Sequence, residues 1–243
     1  MVIHGINKTT LLDFPEHLAC TVFTGHCNFR CPFCHNGELV VCPETEPVIP
    51  EEDFFDFLTV RRNRLEGVAI TGGEPTVNSD LRDFIKKIKD RDLLVKLDTN
   101  GTNPTILKEL IDEGLLDYVA MDIKSSRQNY GSAAGLDNFD IKPIEDSVSI
   151  LMSSNIPYEF RTTVCRELHN EDTFRDIADW LKGASSYYLQ SYRGGNTILA
   201  DLLPDKFASL YPNGFSPYTP EEMKKYAELL NSLGTNTFVR GIA

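Results

Sequence analysis

The stretch Cys27-Asn28-Phe29-Arg30-Cys31-Pro32-Phe33-Cys34 follows closely on an apolar run, Leu18-Ala19-Cys20-Thr21-Val22-Phe23. Its spacing, C-x3-C-x2-C, governs the reading of the rest of the chain. Three thiolates from one short loop can hold three irons of a [4Fe–4S] cube, for which cysteine is the usual protein ligand. No fourth cysteine stands in step with them, since Cys20 lies inside the apolar run and Cys42 beyond a separate turn. The fourth iron is then open to a small molecule. Other readings compete on the residues alone. Cys31-Pro32-Phe33-Cys34-His35 spells the C-x2-C-H signature of a c-type haem. Cysteines also suit structural zinc, although no partner pair follows downstream. A disulfide framework is disfavoured, because six cysteines in 243 residues are sparse and nothing looks secreted.

The length suits a single large α/β domain, 1–243, with a core over about 17–190 and a C-terminal extension over 191–243. A formal net charge of −12 argues against a nucleic-acid partner, which would want a basic face. The N-terminus lacks the layout of a signal peptide, and no apolar run approaches membrane-spanning length. The expectation is a cytoplasmic protein without a membrane partner. That compartment weighs against haem attachment and keeps thiols reduced for metal.

Strand-like and helix-like segments alternate along the chain. Strands are expected at 18–23, 68–71, 93–97, 118–123, 158–164 and 187–189, with a short one at 237–239. Helices are expected at 51–64, 80–89, 104–113, 144–153, 171–181 and 221–233, the third stopped by Gly114. This order implies a parallel sheet with right-handed crossovers. About six strand–helix units fall short of the eight of a closed barrel, so an open, partial (β/α)6 barrel is expected.

Unusual polar clusters collect at the C-terminal ends of the expected strands. They are the cysteine loop, Thr71-Gly72-Gly73-Glu74-Pro75, Asp98-Thr99-Asn100-Gly101, Asp122-Ile123-Lys124, Arg161-Thr162-Thr163 and Gln190-Ser191. In parallel α/β folds that rim is where ligands bind. Gly72-Gly73 could let backbone approach a ligand, or simply make a turn. No Lys follows it and Glu74 would repel phosphate, so a cationic group such as an amine suits it better. Asp122 and Lys124 point to one face of their strand, either as a local ion pair or to grip a zwitterion. His35 reads as a hydrogen-bonding loop residue.

These residues resemble a known family. C-x3-C-x2-C after the first strand, Gly-Gly-Glu-Pro after the second, and the partial barrel are similar to the radical S-adenosylmethionine (SAM) enzymes. Within them, Cys34-His35-Asn36, Asp98-Thr99-Asn100-Gly101 and Asp122-Ile123-Lys124 resemble the glycyl-radical-enzyme activases. Gly5 together with Thr10-Leu11-Leu12-Asp13-Phe14-Pro15 is most similar to the anaerobic ribonucleoside-triphosphate reductase activating proteins. The likeness covers about 5–190; the eight-cysteine insert of some activases is absent, so one cluster is expected.

The resemblance implies that Cys27, Cys31 and Cys34 bind one [4Fe–4S] cluster whose fourth iron is chelated by SAM. It implies that Gly72, Gly73 and Glu74 hold the methionyl amine, that Lys124 reaches the SAM carboxylate or ribose, and that Arg161 and Gln190 complete the pocket. Asp98, Thr99 and Asp122 fit a monovalent-cation site beside SAM. The implied reaction is reductive cleavage of SAM and hydrogen abstraction from a partner's backbone glycine. The implied partners are a glycyl-radical enzyme, foremost anaerobic ribonucleotide reductase, and a flavodoxin- or ferredoxin-type electron donor. The alternatives are a pyruvate formate-lyase-type activase and a small-molecule enzyme of the deazaguanine synthase kind. An iron–sulfur electron carrier would need neither Gly-Gly-Glu-Pro nor the rim carboxylates. The segment 193–220, with Phe207, Tyr211, Phe215 and Tyr218, reads either as a mobile docking surface or as aromatics packed on the barrel.

Overall fold

The computed structural model describes residues 1–195 and 198–242. Among them, one eight-stranded sheet follows chain order in space. Its strands are β1 (Ile3–Thr10), β2 (Ala19–Thr24), β3 (Gly67–Gly72), β4 (Leu94–Thr99), β5 (Tyr118–Asp122), β6 (Tyr158–Val164), β7 (Tyr187–Ser191) and β8 (Thr237–Arg240). From β2 to β8 all neighbours are parallel, while β1 runs antiparallel to β2. β1 and β8 are the edges, so the sheet stays open.

Every parallel crossover carries helix, as two-period strands alternating with 3.6-period segments require. The helices are α1 (Gly37–Val41), α2 (Glu51–Arg61), α3 (Leu81–Lys89), α4 (Pro104–Asp112), α5 (Tyr130–Ala134), α6 (Lys142–Ser153), α7 (Glu171–Trp180), α8 (Leu199–Leu202), α9 (Pro204–Phe207) and α10 (Pro220–Ser232). Their starts are written in the sequence. Asn170 and Thr173 form a reciprocal cap on α7, and Thr219 and Glu222 one on α10. α3 buries Leu81, Phe84, Ile85 and Ile88 on one face, and the rings of Phe54 and Phe84 stack 5.5 Å apart. Burying each such side chain contributes about 1.5–3 kcal/mol. No helix among the described residues is long and apolar enough to cross a membrane.

The expected strands and major helices are present, with ends shifted by one to three residues. β1 was not expected: only its end residues Ile3 and Thr10 are buried, so it shows no buried alternation. The short helices α1, α5, α8 and α9 also escape periodicity, being a turn or so long. The extension is not separate from the sheet, because its last strand, β8, pairs with β7.

Along the strands, charges sit at i, i+2 spacing and so share a face. Lys96 and Asp98 do so on β4, and Glu159 and Arg161 on β6. Asp122 on β5 is the registered neighbour of Arg161.

Candidate active site

Cys27, Cys31 and Cys34 are free thiols that line a single cavity of about 210 Å³ at the C-terminal ends of the strands. Burial pushes all three thiols upward in pKa, Cys27 to about 12, with Glu74 adding to its shift. Buried thiols stay protonated unless a cationic centre pays for the thiolate. Among the described residues, no three Cys, His, Asp or Glu side chains converge as one metal ion would need. Three cysteines each serving a separate iron of a cube is the donor set that fits this loop. Two N–H groups already face Cys27 Sγ, from Phe29 N at 3.4 Å and Asn100 Nδ2 at 3.9 Å.

The glycine pair lines this cavity and also has a structural job. A Cβ on Gly72, whose φ is +120°, would lie 2.3 Å from the Thr24 carbonyl oxygen, and one on Gly73 would lie 1.8 Å from that of His26. Both carbonyls also accept hydrogen bonds, Thr24 O from Gly73 N and His26 O from Glu74 N, at 2.8 Å each. The pair therefore clamps the end of β3 against the entry to the cysteine loop. Asn36 Nδ2 donates to the Gly72 carbonyl at 2.8 Å.

Glu74 is buried, and its carboxylate accepts from Thr76 N (3.1 Å), Thr76 Oγ1 (2.6 Å), Thr99 Oγ1 (2.8 Å) and Asn100 N (2.6 Å). Burial raises its pKa against these four donors. The carboxylate lines the cavity, yet its lone pairs are spent on tying the β3 and β4 loops together.

Across the cavity runs a ladder of alternating charge. Lys96 pairs with Asp98, Arg161 Nη1 donates to Asp98 Oδ2 at 3.1 Å, and Arg161 Nε to Asp122 Oδ1 at 2.9 Å. Lys124 Nζ closes it on Asp122 Oδ2 at 2.9 Å. Burial opposes ionisation of Asp122, but Arg161 and Lys124 outweigh it and hold the carboxyl at about 2. Burial likewise works against the charge on Lys124, and the Asp122 carboxylate raises its pKa regardless. Asp98, Thr99 and Asp122, the residues expected to flank a monovalent cation, all have protein partners in this structure. The two carboxylates are already neutralised by the guanidinium between them, and the Thr99 hydroxyl is given to Glu74.

The cavity thus gathers the three cysteines, Gly72, Gly73, Glu74, Asp98, Thr99, Asp122, Lys124 and Arg161. Gln190 does not join them. It lines neighbouring cavities, with Thr163 and Arg193 in one and Arg240 in both. Sequence reasoning missed three contributors. Lys96, almost fully buried, could have been found as a charge inside an apolar strand two residues before Asp98. His169 donates from Nε2 to the Lys124 carbonyl at 2.9 Å, and Leu199 reaches in from the extension. Neither gives a local signal.

The aromatics of 193–220 pack rather than project. Phe207 and Tyr218 are buried, and Phe215 stands 6.2 Å from the Phe33 ring and 4.7 Å from that of Tyr211.

Comparison with known proteins agrees with this geometry. The Radical SAM superfamily matches residues 21–181. A Methanocaldococcus jannaschii protein, provisionally named a glycyl-radical enzyme activating enzyme, is 31% identical over 198 residues, covering 79% of this chain and 80% of its own. A provisionally named GTP 3′,8-cyclase of Thermococcus kodakarensis is 29% identical over 150 residues, 60% of this chain and 47% of the cyclase. Among solved structures, Streptococcus suis SuiB bound to S-adenosylmethionine superposes with a TM-score of 0.65 at 12% identity. It covers 90% of this chain, which spans about half (49%) of SuiB, and shows likeness of fold alone. Radical SAM enzymes work with a [4Fe–4S] cluster and SAM, and the three thiols and the charged cavity fit that pair. By its fold, its cysteine loop and the family match over two thirds of its length, the chain belongs to the radical SAM superfamily.

Proposed function

We propose that this radical SAM enzyme activates a glycyl-radical enzyme, foremost an anaerobic ribonucleoside-triphosphate reductase, drawing its electron from a flavodoxin- or ferredoxin-type donor. The observation that carries this reading is the likeness to the M. jannaschii relative over four fifths of both chains, where the cyclase aligns over less than half of its own length. Bound together, the cluster and SAM supply one-electron cleavage of the sulfonium and the hydrogen abstraction that follows. The chain's own residues bind and orient. Cys27, Cys31 and Cys34 hold the cluster. Gly72 and Gly73 present backbone to the methionyl amine, Glu74 fixes their loop, and Lys124 and Arg161 face the SAM carboxylate and ribose.

A second cavity supports a protein substrate. About 560 Å³ in size, it shares Asp98 and Arg161 with the first and opens toward the exposed Leu11 and Leu12. Its acidic residues are Asp13, Asp98 and Glu159, and its basic ones Lys96, Arg161 and Arg240, three against three. Arg240 is spent on Glu159 through two 2.8 Å contacts. A nucleoside triphosphate carries several negative charges and needs surplus cations, whereas an uncharged main-chain segment does not. The test is anaerobic incubation of reconstituted protein with SAM, dithionite and candidate glycyl-radical enzymes, followed by EPR. A glycyl-radical signal on the partner is the expected result. Production of 5′-deoxyadenosine stimulated by GTP or another small metabolite, and by no protein, would overturn it.

A further inference from the structure

The extension lies against the cysteine loop at a place the family match, ending at residue 181, does not reach. Leu199 N donates to the Cys34 carbonyl at 2.9 Å, and Ala200 N to the Pro32 carbonyl at 3.0 Å. These are the first free N–H groups of α8, spent on the loop that carries all three cluster thiols. The Leu199 side chain is fully buried and lines the same cavity as Cys27, Cys31 and Cys34. With Val40 and Phe207 it forms an apolar cluster distinct from the main core, and Cys27 and Cys34 pack on it. α9 is fastened from its far side, where Lys206 Nζ donates to the Gly135 carbonyl at 2.7 Å. Gly135 itself is pressed on the loop, since a Cβ there would lie 2.0 Å from the Arg30 carbonyl oxygen. The cysteine loop is therefore gripped between the end of α5 and the α8–α9 segment.

We propose that α8–α9 is a cap for the cluster, and that Leu199 is a positioning residue whose side chain keeps water and dioxygen off the cluster thiolates. The physical effect has a definite sign. Solvent favours the more highly charged, reduced form of a cluster, so an apolar cap lowers the reduction potential and makes the reduced cluster a stronger donor. An apolar wall also withholds the water that oxidative breakdown of a cluster needs. The inference rests on the family's cluster and not on the identity of the activated partner.

The test uses the full chain, reconstituted anaerobically, with Leu199→Ser, Leu199→Ile as the conservative variant, and Leu202→Ser as a surface control. Three readouts need neither SAM nor partner: iron and sulfide content, the rate at which cluster absorbance is lost in aerated buffer, and the potential from a redox titration. Leu199→Ser is expected to load with iron but bleach about tenfold faster, with a less negative potential. Leu199→Ile and Leu202→Ser should behave as the parent protein does. Equal bleaching rates and potentials in Leu199→Ser and the parent would overturn the cap. Should Leu199→Ser fail to fold, Lys206→Met releases α9 from Gly135 without touching the cavity, and unchanged bleaching there would overturn it equally. A parent protein that takes up no iron would instead defeat the family's cluster assignment, which is a separate outcome.

Discussion

Arg161 donates from Nε to Asp122 at 2.9 Å, straight across the register of β5 and β6. One guanidinium thus supplies counter-charge to this carboxylate and, through Nη1, to Asp98. SAM cleavage is therefore expected to run at the same rate in sodium, potassium or choline buffers. Arg161→Gln removes the charge shared by Asp98 and Asp122 and leaves each only its lysine, so residual cleavage should become more sensitive to alkali metal. Assay of 5′-deoxyadenosine under each salt checks both statements.

The cluster assignment predicts about four irons per chain. Cys27→Ala, Cys31→Ala and Cys34→Ala should each abolish the cluster spectrum. Changes at Cys20, buried in β2, at Cys42 and at Cys165 should leave iron content intact, because none of these lines the cavity.

Lys124 and Glu74 are expected to differ in kind. Lys124→Ala removes a charge from the cavity wall and should weaken SAM binding roughly tenfold, the worth of one charge-assisted hydrogen bond, with the cluster spectrum unchanged. Glu74→Ala strips four donors of their acceptor, so it should lower thermal stability and cluster retention as well as SAM affinity. Equilibrium binding together with thermal melts separates the two.

The depressed Asp122 carboxyl makes stability depend on acid. Its ordinary value is 3.8 and its folded value about 2, so its contribution is complete above the ordinary value and is lost as the pH falls toward 2. Asp122→Asn should therefore melt earlier than the parent near neutrality, with the gap narrowing between about pH 4 and 2. A gap independent of pH would show that the ion pairs of Asp122 contribute nothing.

The cysteine triplet and the rim residues were legible because each follows an apolar run, and the end of such a run marks the end of a strand. What those residues touch was not legible. Arg161 meets Asp98 only because β4, β5 and β6 are adjacent, a fact of sheet order and not of local sequence. Gly72 and Gly73 suggested an approach to a ligand, but that backbone from another loop also excludes a side chain there was not legible. Gln190 sits at a strand end as expected, and lines the two cavities beside the one that holds the thiols. β1 was hidden by its exposure, and the extension's aromatics gave no periodicity to say that they pack.

The bond from Leu199 to the Cys34 carbonyl joins two stretches that are 165 positions apart in the chain, the loop being the earlier. During synthesis, then, the cysteine loop emerges and can settle on the sheet well before its cover exists. On that order of synthesis, the three thiols stay uncovered until residues 199–207 have emerged and packed on their loop. In the folded protein the same thiols are reached only past the 199–207 segment, so rebuilding a lost cluster is expected to be slower than loading an unfolded chain.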